Sequence, residues 1–140
     1  MVQSIDRERM LTDLVRCLLP TPVREELTQE GLLLEGGDPG LVAVRISRRG
    51  LYVLIYGARW DGPCTPVADH RQLCHLPWKQ LPADPGLLTT AVEGLIRTAG
   101  AIRRAQFIIC KFCERQTPPE WRSDKQICQS CAENYLGVNF

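Results

Sequence analysis

The chain has 140 residues, of which 44% are hydrophobic and 24% are charged, and its formal net charge is +1. This composition is typical of a globular protein and excludes extended disorder. The small net charge predicts only weak long-range attraction to nucleic acid or anionic membranes. No apolar run approaches the roughly 18–20 residues that span a bilayer, and the charged, amphipathic N-terminus lacks the pattern of a signal peptide. We therefore expect a cytoplasmic protein without a membrane partner.

The first thirty or so residues predict two helices. Residues 5–19 repeat apolar side chains with helical spacing, and a proline follows them. Thr21 and Pro22 have the residue types of an N-cap and a first helical position, and acidic residues come next. These signals predict a second, short helix that Gly31 closes. Cys17 lies beside the apolar stripe of the first helix and is expected to be a buried packing residue.

The next part of the chain predicts an antiparallel sheet. Three strand-like segments are separated by short turns rich in Gly and Arg; they are residues 32–35, 41–47 and 51–59. The run from Tyr52 to Tyr56 is apolar on both faces, which favours a central, covered strand, with contact to a partner chain as the alternative. Residues 60–82 show no clear period and are interpreted as a long loop with one short strand near 73–76.

A long amphipathic helix is predicted over residues 85–104, with Asp84 as its N-cap. It is expected to cover the sheet. Arg103, near its end, is interpreted as part of the solvated side. Gly94 and Gly100 weaken such a helix, so one of them is expected to mark close packing.

Four of the seven cysteines form two CxxC pairs, Cys110 with Cys113 and Cys128 with Cys131, with fourteen residues between the pairs. A CxxC turn brings two thiolates to one side of an ion, and two such turns complete the tetrahedral shell of structural zinc. The pattern therefore predicts one structural zinc ion. The alternatives are redox motifs, an iron–sulfur cluster or disulfides. Redox chemistry is disfavoured because no βαβ pattern precedes Cys110.

The two cysteine pairs differ in their surroundings. The first follows a predicted strand and suits a zinc knuckle on a hairpin turn, whereas the second leads into a predicted short helix over residues 132–136. A knuckle followed by a ligand-bearing helix resembles the treble-clef class of zinc fingers, over residues 109–136 only. That class hosts many unrelated functions. The resemblance therefore implies a local fold and a zinc ion, without a particular task.

Together these elements predict an α+β fold. It consists of N-terminal helices, a small antiparallel sheet of about three to four strands, one long helix packed on it, and a C-terminal treble-clef-like zinc unit. Residues 1–105 are expected to form the core domain. Residues 106–140 are expected to be a zinc-binding unit docked on that core, because an apolar segment leads straight into Cys110 without a flexible linker.

The expected function is that of a non-enzymatic intracellular zinc-binding protein that acts as a protein-interaction or regulatory module. The two-faced strand, segment 60–82 and Trp121 favour a protein partner, although packing of Trp121 against the metal unit or the core is the simpler hypothesis. The alternative is a nucleic-acid-binding zinc-finger protein, because residues 97–140 carry seven basic and four acidic residues. The basic residues considered for that role are Arg103, Arg104, Arg115, Arg122 and Lys125. The sequence does not distinguish a monomer from a homo-oligomer.

A second alternative is an enzyme or a second metal site in segment 60–82. The candidate residues are Cys64, His70, Cys74 and His75. Their types suit metal ligation, but their spacing lacks a second paired turn, and neighbouring Cys74 and His75 would point in different directions. Signatures of zinc deaminases, phosphate-binding loops, HExxH proteases and GxSxG hydrolases are missing from the sequence. We therefore expect these four residues to be ordinary loop or core side chains.

Overall fold

The computed structural model describes residues 2–62, 66–121 and 128–131, with the backbone alone at residues 2–5. It confirms the predicted α+β class: a five-stranded antiparallel sheet, a long helix packed on it, and a C-terminal cluster of cysteines. In chain order the helices and strands are α1 (Val2–Leu18), β1 (Val23–Thr28), β2 (Gly31–Gly36), β3 (Val42–Ser47), β4 (Gly50–Ile55), β5 (Ala58–Trp60), β6 (Pro66–Ala68), β7 (Arg71–Leu76), α2 (Pro85–Ala105), β8 (Ile108–Ile109) and β9 (Gln116–Thr117).

The main sheet has the strand order β1-β2-β3-β4-β7. Strand β4 is an interior strand between β3 and β7, which agrees with the prediction that it is covered on both faces. Val53 and Ile55 belong to the main core on one face, whereas Leu54 lies in a smaller apolar cluster on the other. Two short hairpins, β5–β6 and β8–β9, lie outside this sheet.

Both long helices pack on the same face of the sheet. Leu11 and Val15 of α1 and Val92 of α2 are fully buried in the core with the inner side chains of β2, β3 and β4. The N-cap prediction for α2 is confirmed, because the Asp84 carboxylate accepts a hydrogen bond from the Leu87 backbone N–H at 2.9 Å. Neither helix in the described part of the chain combines the length and the hydropathy needed to cross a membrane.

Residues 23–28 form strand β1, so the predicted second N-terminal helix is wrong. Strand β1 pairs with β2 along its whole length, in a hairpin that closes at Thr28 and Gly31. The Thr28 hydroxyl donates to the Gly31 carbonyl and accepts from the Glu30 N–H. Gly31 has a φ of +134°, which suits glycine. Hairpin pairing therefore outweighs the helix-start signals, because the pairing with strand β2 overrides the local propensity of residues 23–28.

Segment 60–82 is not the predicted long loop. It contains β6, β7 and a 3-10 turn at Trp78–Gln80. Strand β7 is a full edge strand that pairs with β4, and a register shift between Val53 and Leu54 interrupts the ladder. Half-buried edge strands show a weak apolar pattern, which explains why only residues 73–76 were predicted as a strand and why the sheet has five strands.

Two smaller expectations about the helices are also wrong. Cys17 is exposed. It lies two residues from buried Val15, and this spacing places it roughly 200° around the helix from the core. A methyl group added at Gly94 or Gly100 would meet no atom within 4 Å, so neither glycine marks close packing.

Candidate metal centre

The first cysteine pair lies on the β8–β9 hairpin. Strands β8 and β9 pair in antiparallel fashion, and the Cys110 N–H donates to the Arg115 carbonyl at 2.9 Å. The Glu114 N–H donates to the Cys110 carbonyl at 2.9 Å, and Glu114 takes a left-handed conformation with a φ of 62°. This tight turn confirms the hairpin predicted for Cys110 and Cys113.

The second pair approaches the hairpin from the C-terminal side. The Cys128 backbone N–H donates to the Cys110 sulfur at 3.4 Å, and the residues from Gln129 to Cys131 are helical. The helix predicted over 132–136, together with Arg122 and Lys125, lies outside the described residues.

The four sulfur atoms lie within 4.8 Å of one another, and the Cys113 and Cys128 sulfurs are 3.8 Å apart. A tetrahedral zinc ion with Zn–S bonds of about 2.3 Å requires sulfur separations of roughly 3.8 Å. Cys110, Cys128 and Cys131 are buried, and Cys113 is half-buried. In the described parts of the chain this is the one group of three or more potential metal ligands. The four cysteines are therefore arranged to bind a metal ion, in a geometry consistent with zinc.

Polar groups around the first pair favour thiolates. The Cys128 N–H lowers the pKa of Cys110 to about 6, and hydrogen bonding from Arg115 lowers the pKa of Cys113. Burial has the opposite effect at Cys131, where it raises the pKa to about 12. Metals bind cysteine in its deprotonated form. A divalent cation at the centre would therefore offset the cost of burying the negative charge.

The segment between the two cysteine pairs is held to the core by Glu120. Its carboxylate receives hydrogen bonds from both terminal nitrogens of Arg103, the longer at 3.1 Å to Nη1. The Arg103 Nε–H donates to the Gly40 carbonyl at 3.0 Å. The guanidinium carbon also lies 5.3 Å from the Tyr56 ring centre and 5.1 Å from that of Phe107.

Arg103 is only 1% exposed, so the prediction that its side chain is solvated is wrong. A lone arginine on a helix gives no local signal of burial. Its partner Glu120 lies 17 residues away, and the carbonyl of Gly40 is farther still. The importance of Arg103 and Glu120 therefore becomes visible only in the tertiary structure.

Two tryptophans complete this junction. The Trp60 Nε1–H donates to the Glu120 carbonyl at 2.7 Å, and the rings of Trp60 and Trp121 meet edge to face at 5.5 Å. Trp121 is nevertheless 44% exposed. It therefore packs on Trp60 of the β5–β6 hairpin and presents part of its ring to solvent, whereas the simpler hypothesis placed it against the metal unit or the main core.

No protein-family model matches the chain, and no curated protein or solved structure matches it. The function proposed below therefore depends on the residues and their geometry alone.

The structure does not bring together the three described members of the other candidate set, His70, Cys74 and His75. Cys64 lies outside the described residues. His70 precedes β7, where its Nε2 is 2.6 Å from a Glu35 carboxylate oxygen and its Nδ1 accepts from a backbone N–H. His75, near the other end of β7, bonds through Nε2 to the Arg49 carbonyl at 3.0 Å. Cys74 pairs with Val53 in the ladder. Both imidazoles are thus engaged by protein groups at separate places.

Proposed function

We propose that Cys110, Cys113, Cys128 and Cys131 hold one structural zinc ion in a treble-clef-like unit, and that the protein is a non-enzymatic protein-interaction module. The closed set of four thiolates supports this, because it leaves no coordination position for a reactive water. When bound, zinc supplies folding free energy to the surrounding segment. Four-thiolate sites persist in reducing compartments, which supports a cytoplasmic location.

The observation that carries the interaction proposal is the exposure of three large apolar side chains on the cysteine hairpin and just after it. Ile109 is 63% exposed, Phe112 is 49% exposed and Trp121 is 44% exposed. These are three of the six large apolar side chains that are exposed among the described residues. Exposed large apolar side chains are typical of partner-binding surfaces, and aromatic residues are enriched there. We name Ile109, Phe112 and Trp121 the hairpin surface.

Charge around the hairpin surface defines the partner further. Lys111 and Arg115 are exposed on the same hairpin, together with one acidic residue, Glu114, and Arg115 also contacts the Cys113 sulfur, so the hairpin has a small positive excess. A complementary protein would therefore present an apolar centre with acidic residues at its rim, because opposite charges at the rim favour encounter and register. The nucleic-acid alternative receives less support. Of the basic residues considered for it, Arg103 is buried against Glu120.

The zinc part is tested by native mass spectrometry of the purified chain, which should show one zinc ion per chain. A metal-free chain in which the segment around the four cysteines is ordered, or a chain that carries iron, would contradict it.

The interaction part is tested by affinity capture with the zinc-loaded chain. Ile109→Ser with Phe112→Ser should abolish capture of a specific protein while zinc content is unchanged. The matched control is Leu27→Ser with Leu87→Ser, which removes two exposed leucines elsewhere and should leave capture intact. Equal loss in both double variants would show nonspecific apolar adhesion and refute the hairpin surface as the binding site.

A further inference from the structure

A cleft of about 800 Å³ opens at the end of the main sheet that carries the β1–β2 and β3–β4 turns. It is separate from the cysteine cluster, none of whose residues lines it. Its polar lining includes Thr28, Gln29, Ser47, Arg45, Arg48 and Arg49. We name it the arginine cleft. Its volume falls within the range of roughly 300–1,000 Å³ that is usual for small-molecule sites.

The positive groups of the arginine cleft are poorly neutralised. Arg48 and Arg49 are the two exposed central residues of the β3–β4 turn, and neither forms an ion pair within the described parts of the chain. Arg45 has one long contact, 3.4 Å to the carboxylate of Glu30, whose side chain is 73% exposed. The Nε of Arg45 is buried and has no hydrogen-bond partner. Such a group is costly unless an acceptor or a small shift of the side chain satisfies it.

The β3–β4 turn is fixed in place before any ligand arrives. The Ser47 carbonyl accepts from Trp78 Nε1 at 3.0 Å, and the Ser47 hydroxyl accepts from the Arg49 N–H at 3.1 Å. On the other side, the His75 ring holds the Arg49 carbonyl at 3.0 Å. A turn whose backbone is already fixed loses little backbone conformational entropy when a ligand binds, so the entropy cost is limited to its side chains.

Two stacked aromatic rings lie beside Arg45 on the sheet. Its guanidinium carbon is 5.9 Å from the centre of the Tyr52 ring, and Tyr52 stacks on His75 with centroids 4.1 Å apart and planes inclined by 4°. These residues are neighbours across β3, β4 and β7. The contact with Tyr52 holds the Arg45 guanidinium in the cleft. Because Arg45 and His75 both contact the Tyr52 ring, a nucleobase would have no free face of that ring on which to stack.

The chemistry of three guanidinium groups selects the ligand. Guanidinium forks bind oxyanions with paired hydrogen bonds, and a phosphate monoester offers three terminal oxygens, so it can accept from more than one of the arginines that line the same cleft. Glu8 and Glu30 also line the cleft. Against the three arginines they leave a small positive excess, which attracts a long polyanion weakly and suits a single anionic group better. We propose that the arginine cleft binds a small phosphorylated molecule through its phosphate monoester, held by Arg45, Arg48 and Arg49.

The test is a titration of the ¹⁵N-labelled, zinc-loaded chain followed by NMR. Ribose 5-phosphate should shift the amide signals of residues 28–31 and 47–50 in a saturable way, whereas ribose should not. Arg48→Gln with Arg49→Gln should weaken binding by about tenfold or more, because it removes two charge-assisted contacts. The matched control, Arg71→Gln with Arg104→Gln, removes the same charge at exposed positions outside the cleft and should change affinity by less than about twofold.

Three results would overturn the proposal. The first is the lack of a saturable shift at these amides up to about 10 mM ribose 5-phosphate, because a dissociation constant above this concentration is too weak for a specific site. The second is equal weakening in both double variants, which would indicate general charge attraction. The third is a ten-nucleotide DNA strand that shifts the same amides with an affinity at least about tenfold higher, which would assign the cleft to nucleic acid.

Discussion

Arg103 at the end of α2 and Glu120 between the two cysteine pairs form a buried ion pair with two hydrogen bonds. The pair joins the helix that covers the sheet to the segment that leads to the second pair of thiolates. The Trp60 Nε1–H also donates to the backbone carbonyl of Glu120. Glu120 is therefore held through both its side chain and its main chain. Stability of the core and order around the cysteines are therefore expected to depend on each other.

Replacing Glu120 with Gln tests this dependence. The substitution keeps the shape of the side chain but leaves the buried Arg103 cation without a counter-charge. We expect a loss of about 3 kcal/mol in the free energy of unfolding, measured by urea denaturation and circular dichroism. The matched control is Glu93→Gln, which breaks the exposed pair with Arg97 and should cost no more than about 0.5 kcal/mol.

A double variant separates the charge effect from packing. Arg103→Met with Glu120→Met removes both charges. The double variant should lose less unfolding free energy than the sum of the two single variants, because it contains no unpaired buried ion. If the unfolding free energy of Glu120→Gln were within about 0.5 kcal/mol of that of the unaltered chain, the ion pair would contribute no more than an exposed one. The proposed dependence would then be wrong.

Removing one thiolate tests the metal centre. Cys128→Ser should weaken zinc binding by an amount on the order of 3 kcal/mol, which is about a quarter of the binding free energy of a four-ligand structural site. Zinc stoichiometry and competition with a chelator would measure this loss. Cys17→Ser and Cys74→Ser are the controls, since neither sulfur belongs to the cluster. Zinc loss in these controls equal to that in Cys128→Ser would contradict the assignment of ligands.

The Glu35–His70 contact predicts a dependence of stability on pH. Hydrogen bonding with His70 lowers the pKa of Glu35 below its ordinary value of 4.5. A carboxylate whose pKa is lowered by folding stabilises the protein above its unfolded pKa, and this contribution is lost as the pH falls through the lowered value. We therefore expect the stability advantage of the unaltered chain over Glu35→Gln to be full at pH 6 and to shrink steadily below about pH 4.5.

Urea unfolding of both chains across this range measures the difference, and comparison of the two chains cancels acid effects on the thiolates that they share. Glu26→Gln, at an exposed position on β1, serves as the control. An advantage over Glu35→Gln that stayed constant down to pH 3 would refute the contribution of this carboxylate.

The helical glycines of α2 predict a gain in stability. Gly94 and Gly100 have open space where a side chain would lie, so Ala at either position should stabilise the chain by about 0.5–1 kcal/mol through helix propensity. Thermal unfolding should show the increase. Gly50→Ala is the contrasting variant, because Gly50 has a φ of +124° and a new Cβ would lie 2.2 Å from the Leu76 carbonyl oxygen. That variant should lose stability, and a gain at Gly50 would contradict this explanation.

Local patterns in the sequence were sufficient for several parts of the structure. The helical period of residues 85–104, with its Asp-Pro start, predicted α2 because helix hydrogen bonds and caps join residues that are close in sequence. The alternating apolar residues of β3, the apolar runs of β2 and β4 and the short turns between them predicted three adjacent strands, because hairpin turns join neighbouring strands. The CxxC spacing identified the four sulfurs that the fold brings together, because thiolate coordination demands paired ligands on tight turns.

Strand pairing and contacts between distant segments decided the rest. Val23–Thr28 has the start signals of a helix, yet pairing with β2 makes it a strand. Strand β7 is half-buried at the sheet edge, so its apolar pattern is too weak to distinguish from a loop. The burial of Arg103 depends on Glu120 and on the Gly40 carbonyl, 63 residues away in the chain. The arginine cleft likewise exists only because two hairpin turns meet at one end of the sheet. By itself, the sequence determined the α+β class and the thiolate set, since these depend on residue type and local spacing. The tertiary structure alone decided which charged groups are buried and which converge, because that depends on the packing of segments far apart in the chain.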